Sequence, residues 1–335
     1  MRETLVIVSL DTEEDNWHRS RSGTTVENIA EVPALAAAFE RWGVRATYFT
    51  SYHVAMERGA VETLREACAG GRAEIGAHLH PWNTPPLDEE FVPRNSMLKN
   101  LPADLQRAKL ARLTRALEDG FGFTPRIFRA GRYGLGRETV AALVAQGYRV
   151  DSSVSPFINL QPVDDGPSFV GAPIHVYRLA PDREVTRPAP GGPLLEIPLS
   201  YGFNRGPFGF WGPARRLLES PPWRRLRLAS VAARTGIVRR ISLTPEDTGV
   251  RDLLILSRRL LEHGVRHLQL SFHTPTLKPG LSPFARTAAD VARLYARIDQ
   301  YLEGLSGLTR ISFATISEAA AVLDGSPVSA GAAAW

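Results

Sequence analysis

At 335 residues, 44% of them apolar and 22% charged, the chain has the size and balance of one large globular domain or two ordinary ones, not of a fibrous or disordered chain. No apolar run approaches the ~20 residues that span a bilayer, and a single cysteine, Cys68, excludes an internal disulfide. The net charge of +5 is a mild pointer to an anionic partner and gives no reason to expect nucleic acid.

Met1, Arg2 and Glu3 lead straight into Leu5–Leu10, an apolar run that reads as a strand. No basic start, apolar stretch and small-residue cleavage site precede it, so the expected location is cytoplasmic. Strand and helix patterns then alternate: helix Val26–Trp42, strand Val44–Phe49, helix Val61–Ala69, strand Ala73–Ala77, helix Ala103–Asp119, strand Arg126–Arg129, helix Leu135–Gln146, strand Tyr148–Ser152. Such alternation predicts a parallel sheet or an α/β barrel. From Pro156 to about Thr244 the rhythm breaks into Pro/Gly-rich stretches, short strands such as Leu194–Ile197 and Arg-rich helices, and reads as an insertion over the site (156–245). It resumes with helix Val250–His263, strand His267–Phe272, helix Ala288–Leu305 and strand Arg310–Phe313. One barrel over residues 1–325 follows, with 326–335 as a mobile tail.

The insertion is rich in arginine, from Arg205 through Arg215, Arg216, Arg224, Arg225, Arg227, Arg234 and Arg239 to Arg240, against the single acid Glu219. A solvated helix face explains this. So does an anionic partner: a phosphate-bearing sugar, or a membrane surface into which Trp211 and Trp223 dip.

The chemically loaded residues stand where the predicted strands end, the face on which α/β barrels carry their sites. Residues two apart on a strand share a side. Asp11 and Glu13 therefore project together after the first strand, and His78 and His80 together after the third. Two imidazoles and a carboxylate make the three-ligand set of a catalytic zinc site, and suit non-haem iron as well. A divalent metal would draw the pKa of bound water towards ~7; Asp11 is placed as base, His273 as acid, and Arg129 to hold Asp11 ionised. Glu14 and Asp15 are reserves for the carboxylate ligand. Trp82 and Tyr133 offer aromatic faces for sugar stacking or for the core, and Asp151 either a hydrogen bond to a sugar hydroxyl or a turn closure.

These residues also carry a family resemblance. Ser9-Leu10-Asp11-Thr12-Glu13, Ala46-Thr47-Tyr48-Phe49, Glu74-Ile75-Gly76-Ala77-His78, Phe128-Arg129-Ala130-Gly131, Asp151-Ser152-Ser153 and Ser271-Phe272-His273 resemble, in order, the motifs of the polysaccharide deacetylases of the NodB-homology group. The resemblance implies a distorted (β/α) barrel of about seven strands and metal-dependent removal of acetyl groups from amino sugars, Zn2+ being the first choice of metal. It implies Asp11 as general base, Arg129 as the residue steering it and His273 as general acid. The substrate would be an N-acetylated carbohydrate, small and nucleotide- or lipid-linked if the enzyme is cytoplasmic. The chain departs from the pattern at three places. Thr12 separates the two acids, Trp82 stands where the second histidine is usual, leaving His80 as its replacement, and Ser271 replaces the usual leucine. Those departures leave room for another amide, a ureide or cyclic amide, or for a metal-free barrel that only binds glycan.

Overall fold

The computed structural model describes residues 3–16, 21–219 and 238–324. Its central strand is β1 (Glu3–Thr12), whose Leu5-Val6-Ile7-Val8 run is apolar on both sides because both sides are covered. β2 (Ala46–Thr50), β3 (Ala73–Leu79), β4 (Ile127–Ala130) and β5 (Val150–Asp151) follow it in parallel on one side, and β10 (His267–His273) on the other. The connections are made by α1 (Val32–Glu40), α2 (Tyr52–Met56), α3 (Arg58–Cys68), α4 (Ala103–Phe121) and α5 (Arg137–Ala145).

The sequence-predicted insertion contributes to the sheet itself. Its β7 (Leu194–Glu196) pairs in parallel with β5, and its β6 (Tyr177–Leu179) adds an antiparallel edge, giving nine strands with β11 (Arg310–Phe313) beside the start of β1. β8 (Tyr201–Phe203) and β9 (Arg240–Ser242) form a separate antiparallel pair. The gap between β7 and β10 is bridged by irregular backbone: Leu199 N–H donates to Val154 O, Leu243 N–H to Ser200 O and Ser271 N–H to Leu243 O, all at 2.9–3.0 Å. The result is a curled, distorted barrel. Trp211, on α6 (Phe208–Glu219), packs against the main core. Trp223, Arg224, Arg225, Arg227 and Arg234 lie outside the described residues, as does the tail 326–335. No described helix is long and apolar enough to cross a membrane.

After α7 (Val250–Glu262) and α8 (Ala288–Ser306), the latter opened by a Thr287/Asp290 capping box, comes α9 (Ile316–Asp324). Its Ile316, Ala319 and Ala320 pack with the inward-facing Ile7, Phe49, Ile127, Val150 and Leu195, closing the amino end of the barrel. Alternation along each strand stacks the interior in layers. Above Ile7 stands Ser9 and then Asp11; above Ile127 stands Arg129; above Gln269 stand Ser271 and His273. The apolar layer gives way to a hydroxyl and guanidinium layer, and that to the site.

Candidate functional site

Parallel pairing puts Asp11 level with His273 and His78 level with Arg129, so the ends of two neighbouring pairs of strands, β10 with β1 and β3 with β4, face one another across the curled sheet. Arg129 is fully buried and spends every donor: Nε on Ser152 O (2.9 Å), Nη1 on Asp11 Oδ1 (2.7 Å) and Ser271 Oγ (3.1 Å), Nη2 on Ser9 Oγ (2.9 Å) and Ser152 Oγ (3.3 Å). Its guanidinium also lies 4.1 Å over the Phe49 ring. Gln269 ties Ser9 and Ser152 together beneath it. Ser271, where a leucine was the expected pattern, is thus an acceptor for the arginine. Burial works against charge on Asp11, but Arg129 and the adjacent histidines outweigh it and hold the carboxyl well below the usual range.

Glu13, His78 and His80 form the one cluster of metal-competent side chains among the described residues, all three buried. Glu13 is set by its backbone: its N–H donates to Thr274 Oγ1 (3.3 Å) and its carbonyl accepts from Asn28 Nδ2 (2.9 Å). His78 Nδ1–H donates to Arg129 O (3.0 Å), and His80 Nδ1–H to Glu14 Oε1 (2.9 Å). Both rings therefore turn an Nε2 lone pair inward, and the two Nε2 atoms stand 3.0 Å apart. Glu13 Oε2 lies 3.3 Å from one and 3.1 Å from the other. With Glu13 ionised, three acceptors at such distances repel unless a cation sits among them. Tetrahedral ligands about 2.0–2.1 Å from a common ion stand roughly 3.3 Å apart, so the donor set fits a small divalent metal. Glu13 Oε1, buried and without a hydrogen-bond partner, adds to that fit. Burial pushes the Glu13 carboxyl well above its ordinary range and the His78 imidazole down to about 3, so His78 is neutral and able to ligate.

The His80 ring is clamped. Trp82 stacks on it at 4.2 Å and 18°, Glu14 holds Nδ1, and Gly131 lies against its edge, where an added Cβ would fall 2.1 Å from Cδ2 and 2.7 Å from Leu79 O. Glu14 in turn accepts from Ser51 Oγ (3.0 Å) and Asn83 Nδ2. Burial alone would raise Glu14, yet the His80 contact and these bonds bring it down to about 2. Glu14 thus orients a ligand from behind, the arrangement common to metal-bound histidines. Asp15 faces away, accepting from Thr25, Glu27 and Asn28.

On the far side of Asp11, His273 Nε2 stands 3.8 Å from Asp11 Oδ2, and His78 Nε2 3.9 Å from it. His273 Nδ1–H donates to Glu246 Oε2 (2.8 Å). Burial opposes a charged imidazole, but Glu246 with Glu13 and Asp11 raises it to about 10. Asp11, His273, Tyr133, Tyr201, Ser242, Thr244 and Ser271 border a cavity of about 150 Å³, to which β8 and β9 contribute one wall. Arg132 and Tyr133 take left-handed backbone conformations (φ 51° and 58°), costly for residues with a side chain, and the Tyr133 hydroxyl meets that of Tyr201 at 3.2 Å.

The structure therefore brings together Asp11, Glu13, His78, His80, Arg129 and His273, with Tyr133 on the adjoining cavity. It does not bring Asp151 there. Asp151 is 0% exposed; its carboxylate accepts from Ser153 N–H (3.0 Å) and Oγ (2.8 Å) and pairs with Glu196, so of its two expected uses it closes a turn and is sealed from any sugar. Trp82, 3% exposed, is not on the rim beside Asp11 but packs behind His80. Sequence reasoning missed Glu246 and Tyr201, and it placed Gly131 in a motif without foreseeing its contact with His80. Glu246 sits in a Thr-Pro-Glu loop inside the irregular stretch, where no strand end marks it; its acid type beside a Pro was the only signal.

No protein-family model matches the chain, and no curated protein matches it in sequence. Among solved structures, a Mycobacterium smegmatis protein named a polysaccharide deacetylase aligns over 96% of this chain and 90% of its own at 18% identity and a TM-score of 0.53. A family 4 carbohydrate esterase from Streptomyces lividans, solved with acetate, aligns over 94% of each chain at 12% identity and a TM-score of 0.44. A family 4 pseudoenzyme from Bacillus anthracis aligns over 95% of this chain and 65% of its own at 11% identity, also at 0.44. The first likeness concerns the fold, and with the ordered motifs it leads to one conclusion: the chain has the distorted-barrel fold of the polysaccharide deacetylases.

Proposed function

We propose that the chain is a metal-dependent hydrolase that removes an N-acetyl group from a carbohydrate, an amino sugar of a glycan or of its precursor, in the cytoplasm and with Zn2+ as the ion. The observation that carries this reading is the convergence of Glu13 Oε2, His78 Nε2 and His80 Nε2 beside Asp11 Oδ2, with His273 Nε2 on its other side. A divalent cation held by those three ligands supplies a Lewis acid that polarises the amide carbonyl and acidifies water.

The chain's own residues handle the protons. Arg129 occupies Asp11 Oδ1, which leaves Oδ2 turned to the site to take a proton from the attacking water. As the acyl carbon gains that oxygen and the C–N bond breaks, His273 Nε2–H protonates the departing amine, while Glu246 steadies the ring through Nδ1. Asp11 is then protonated and His273 neutral. They stand 3.8 Å apart, and return of the proton from one to the other resets both. Ser271, standing on the cavity beside Asp11 in place of a leucine, leaves room for a ureide or cyclic amide, the second reading.

The test is acetate release from N-acetylated mono- and oligosaccharides, measured beside ureide-type amides. Release that is lost with chelator, restored by zinc and absent in Asp11→Ala supports the reading. Equal release by Asp11→Ala overturns it, and sugar binding without release, indifferent to chelator, would mean a glycan-binding barrel.

A further inference from the structure

The cavity beside Asp11 and His273 is deeper than an acetyl group needs. Gln269, Ser271 and His273 are alternate residues of β10 and all border it, with Asp11 on the strand alongside. At ~3.3 Å per residue the span from His273 to Gln269 is roughly 13 Å, so the hollow runs inward beneath the acid, towards the hydroxyl layer of the barrel. Its volume, about 150 Å³, is half the ~300 Å³ at which drug-sized pockets begin, too little to enclose an N-acylated pyranose. From such a sugar, with its amide at Asp11 and His273, the part that can enter is the acyl chain beyond the carbonyl. An acetyl group sends in one methyl and leaves most of the space to water, at ~30 Å³ a molecule.

The wall there is suited to a hydroxyl. Ser271 Oγ accepts from Arg129 Nη1 (3.1 Å), and its own proton has no acceptor among the described residues. Ser242 Oγ, on a half-buried residue, has no hydrogen-bond partner among the described residues. Thr244 Oγ1 reaches Glu246 Oε2 only at 3.4 Å, the long end of a hydrogen bond. Each of these hydroxyls keeps capacity to donate or accept, and Leu199 and Leu243 add apolar surface for the carbon of a short chain. Such a site discriminates against the analogue that lacks the hydroxyl, because its polar groups are then left unpaired. Asp11 and Asp247 on the same cavity disfavour a chain that ends in a carboxylate.

We propose that among N-acyl sugars the site favours those whose acetyl group carries a hydroxyl, the N-glycolyl form, and that Ser242 and Ser271 make the selection. The proposal rests on the metal-dependent hydrolase reading and narrows its substrate. The bonds exchanged are the same: water adds to the acyl carbon, the C–N bond breaks, the amine leaves with the His273 proton, and the second product is a hydroxy acid in place of acetate.

The test dispenses with the sugar. Acetohydroxamate, propionohydroxamate and glycolohydroxamate share a zinc-binding head and differ in the acyl tail, and each is titrated calorimetrically into the zinc-loaded full chain. Expected is glycolohydroxamate binding about tenfold tighter than the other two, roughly the worth of one good hydrogen bond. Ser242→Ala should shrink that ratio to about threefold or less, and Ser271→Leu should turn it in favour of propionohydroxamate. The ratio within each variant is what is read, so a general loss of affinity does not imitate lost selectivity. Tails that bind alike in the wild type, or a glycolohydroxamate advantage untouched in Ser242→Ala and Ser271→Leu, overturn the selection and leave the hydrolase standing. Hydroxamates that bind no better with zinc than without it remove the hydrolase and the selection together.

Discussion

At the scale of single residues, the site depends on groups that never touch substrate. Gly131 has no tolerance for a Cβ, because the nearest His80 ring atom would stand 2.1 Å away. Gly131→Ala should therefore displace the His80 ring and the Leu79 backbone, and the variant that folds should lose most of its bound zinc, read as metal equivalents after dialysis. Glu14→Gln keeps the shape but removes the charge behind His80; zinc affinity measured against a competing chelator should drop about 10–100-fold. Glu246→Gln bears on the acid. With His273 raised from 6.5 to about 10, the acid is charged at neutral pH, and its deprotonation should set the alkaline limb of activity. In Glu246→Gln that alkaline limb should move towards lower pH in a kcat/KM profile; an unmoved limb would assign it to another group. The same ion pair contributes stability that is full below pH 6.5 and fades as pH rises through about 10.

At the scale of elements, the strand ends were the legible part. A period of two is a local property, so Asp11 with Glu13 and His78 with His80 could be placed on common faces from the sequence, and the structure clusters Glu13, His78 and His80 in that manner. What was not legible depends on irregular backbone. Glu246 reaches His273 from a loop after β9, and Tyr201 faces the cavity from β8, a strand of three residues too short to leave a period. β7 was visible as an apolar run, but its place beside β5 was hidden because nothing local encodes a partner. The loop after β3 makes its own prediction. Lys109 is a fully buried cation held by three carbonyls and Glu89, and Lys109→Met would leave those carbonyls without a donor and Glu89 to Arg21 alone. The expected cost is about 3–5 kcal/mol, from urea denaturation, because a buried ion pair loses one partner and three carbonyls their shared donor.

For the whole molecule, the layered interior separates stability from chemistry. α9 closes the amino end with Ile316, which is fully buried among Ile7, Phe49 and Ile127, a hydroxyl layer away from the ligands. Ile316→Ala should cost about 2–5 kcal/mol in urea denaturation yet leave zinc stoichiometry intact in the folded protein. Between these ends, Asp151 and Glu196 share a hydrogen bond in full burial, and burial raises both. One of the two thus keeps its proton, and Arg129 is left to Asp11. The barrel class was readable because alternation extends over the whole chain; the sealed carboxyl pair was not, since it arises from the β5–β7 register.

The pairing of the first strand with the tenth has a consequence for how the protein is made. Gln269 donates to Ser9 across 260 residues of chain, and the register that joins them also sets Asp11 beside His273. At about 5–20 residues per second, a ribosome needs roughly 10–50 s after β1 emerges to deliver its neighbour. During that interval one long apolar edge of β1 has no partner from its own chain, and no base faces an acid. The growing polypeptide is thus chemically silent until β10 arrives, and in that interval the open edge of β1 is most in need of a chaperone.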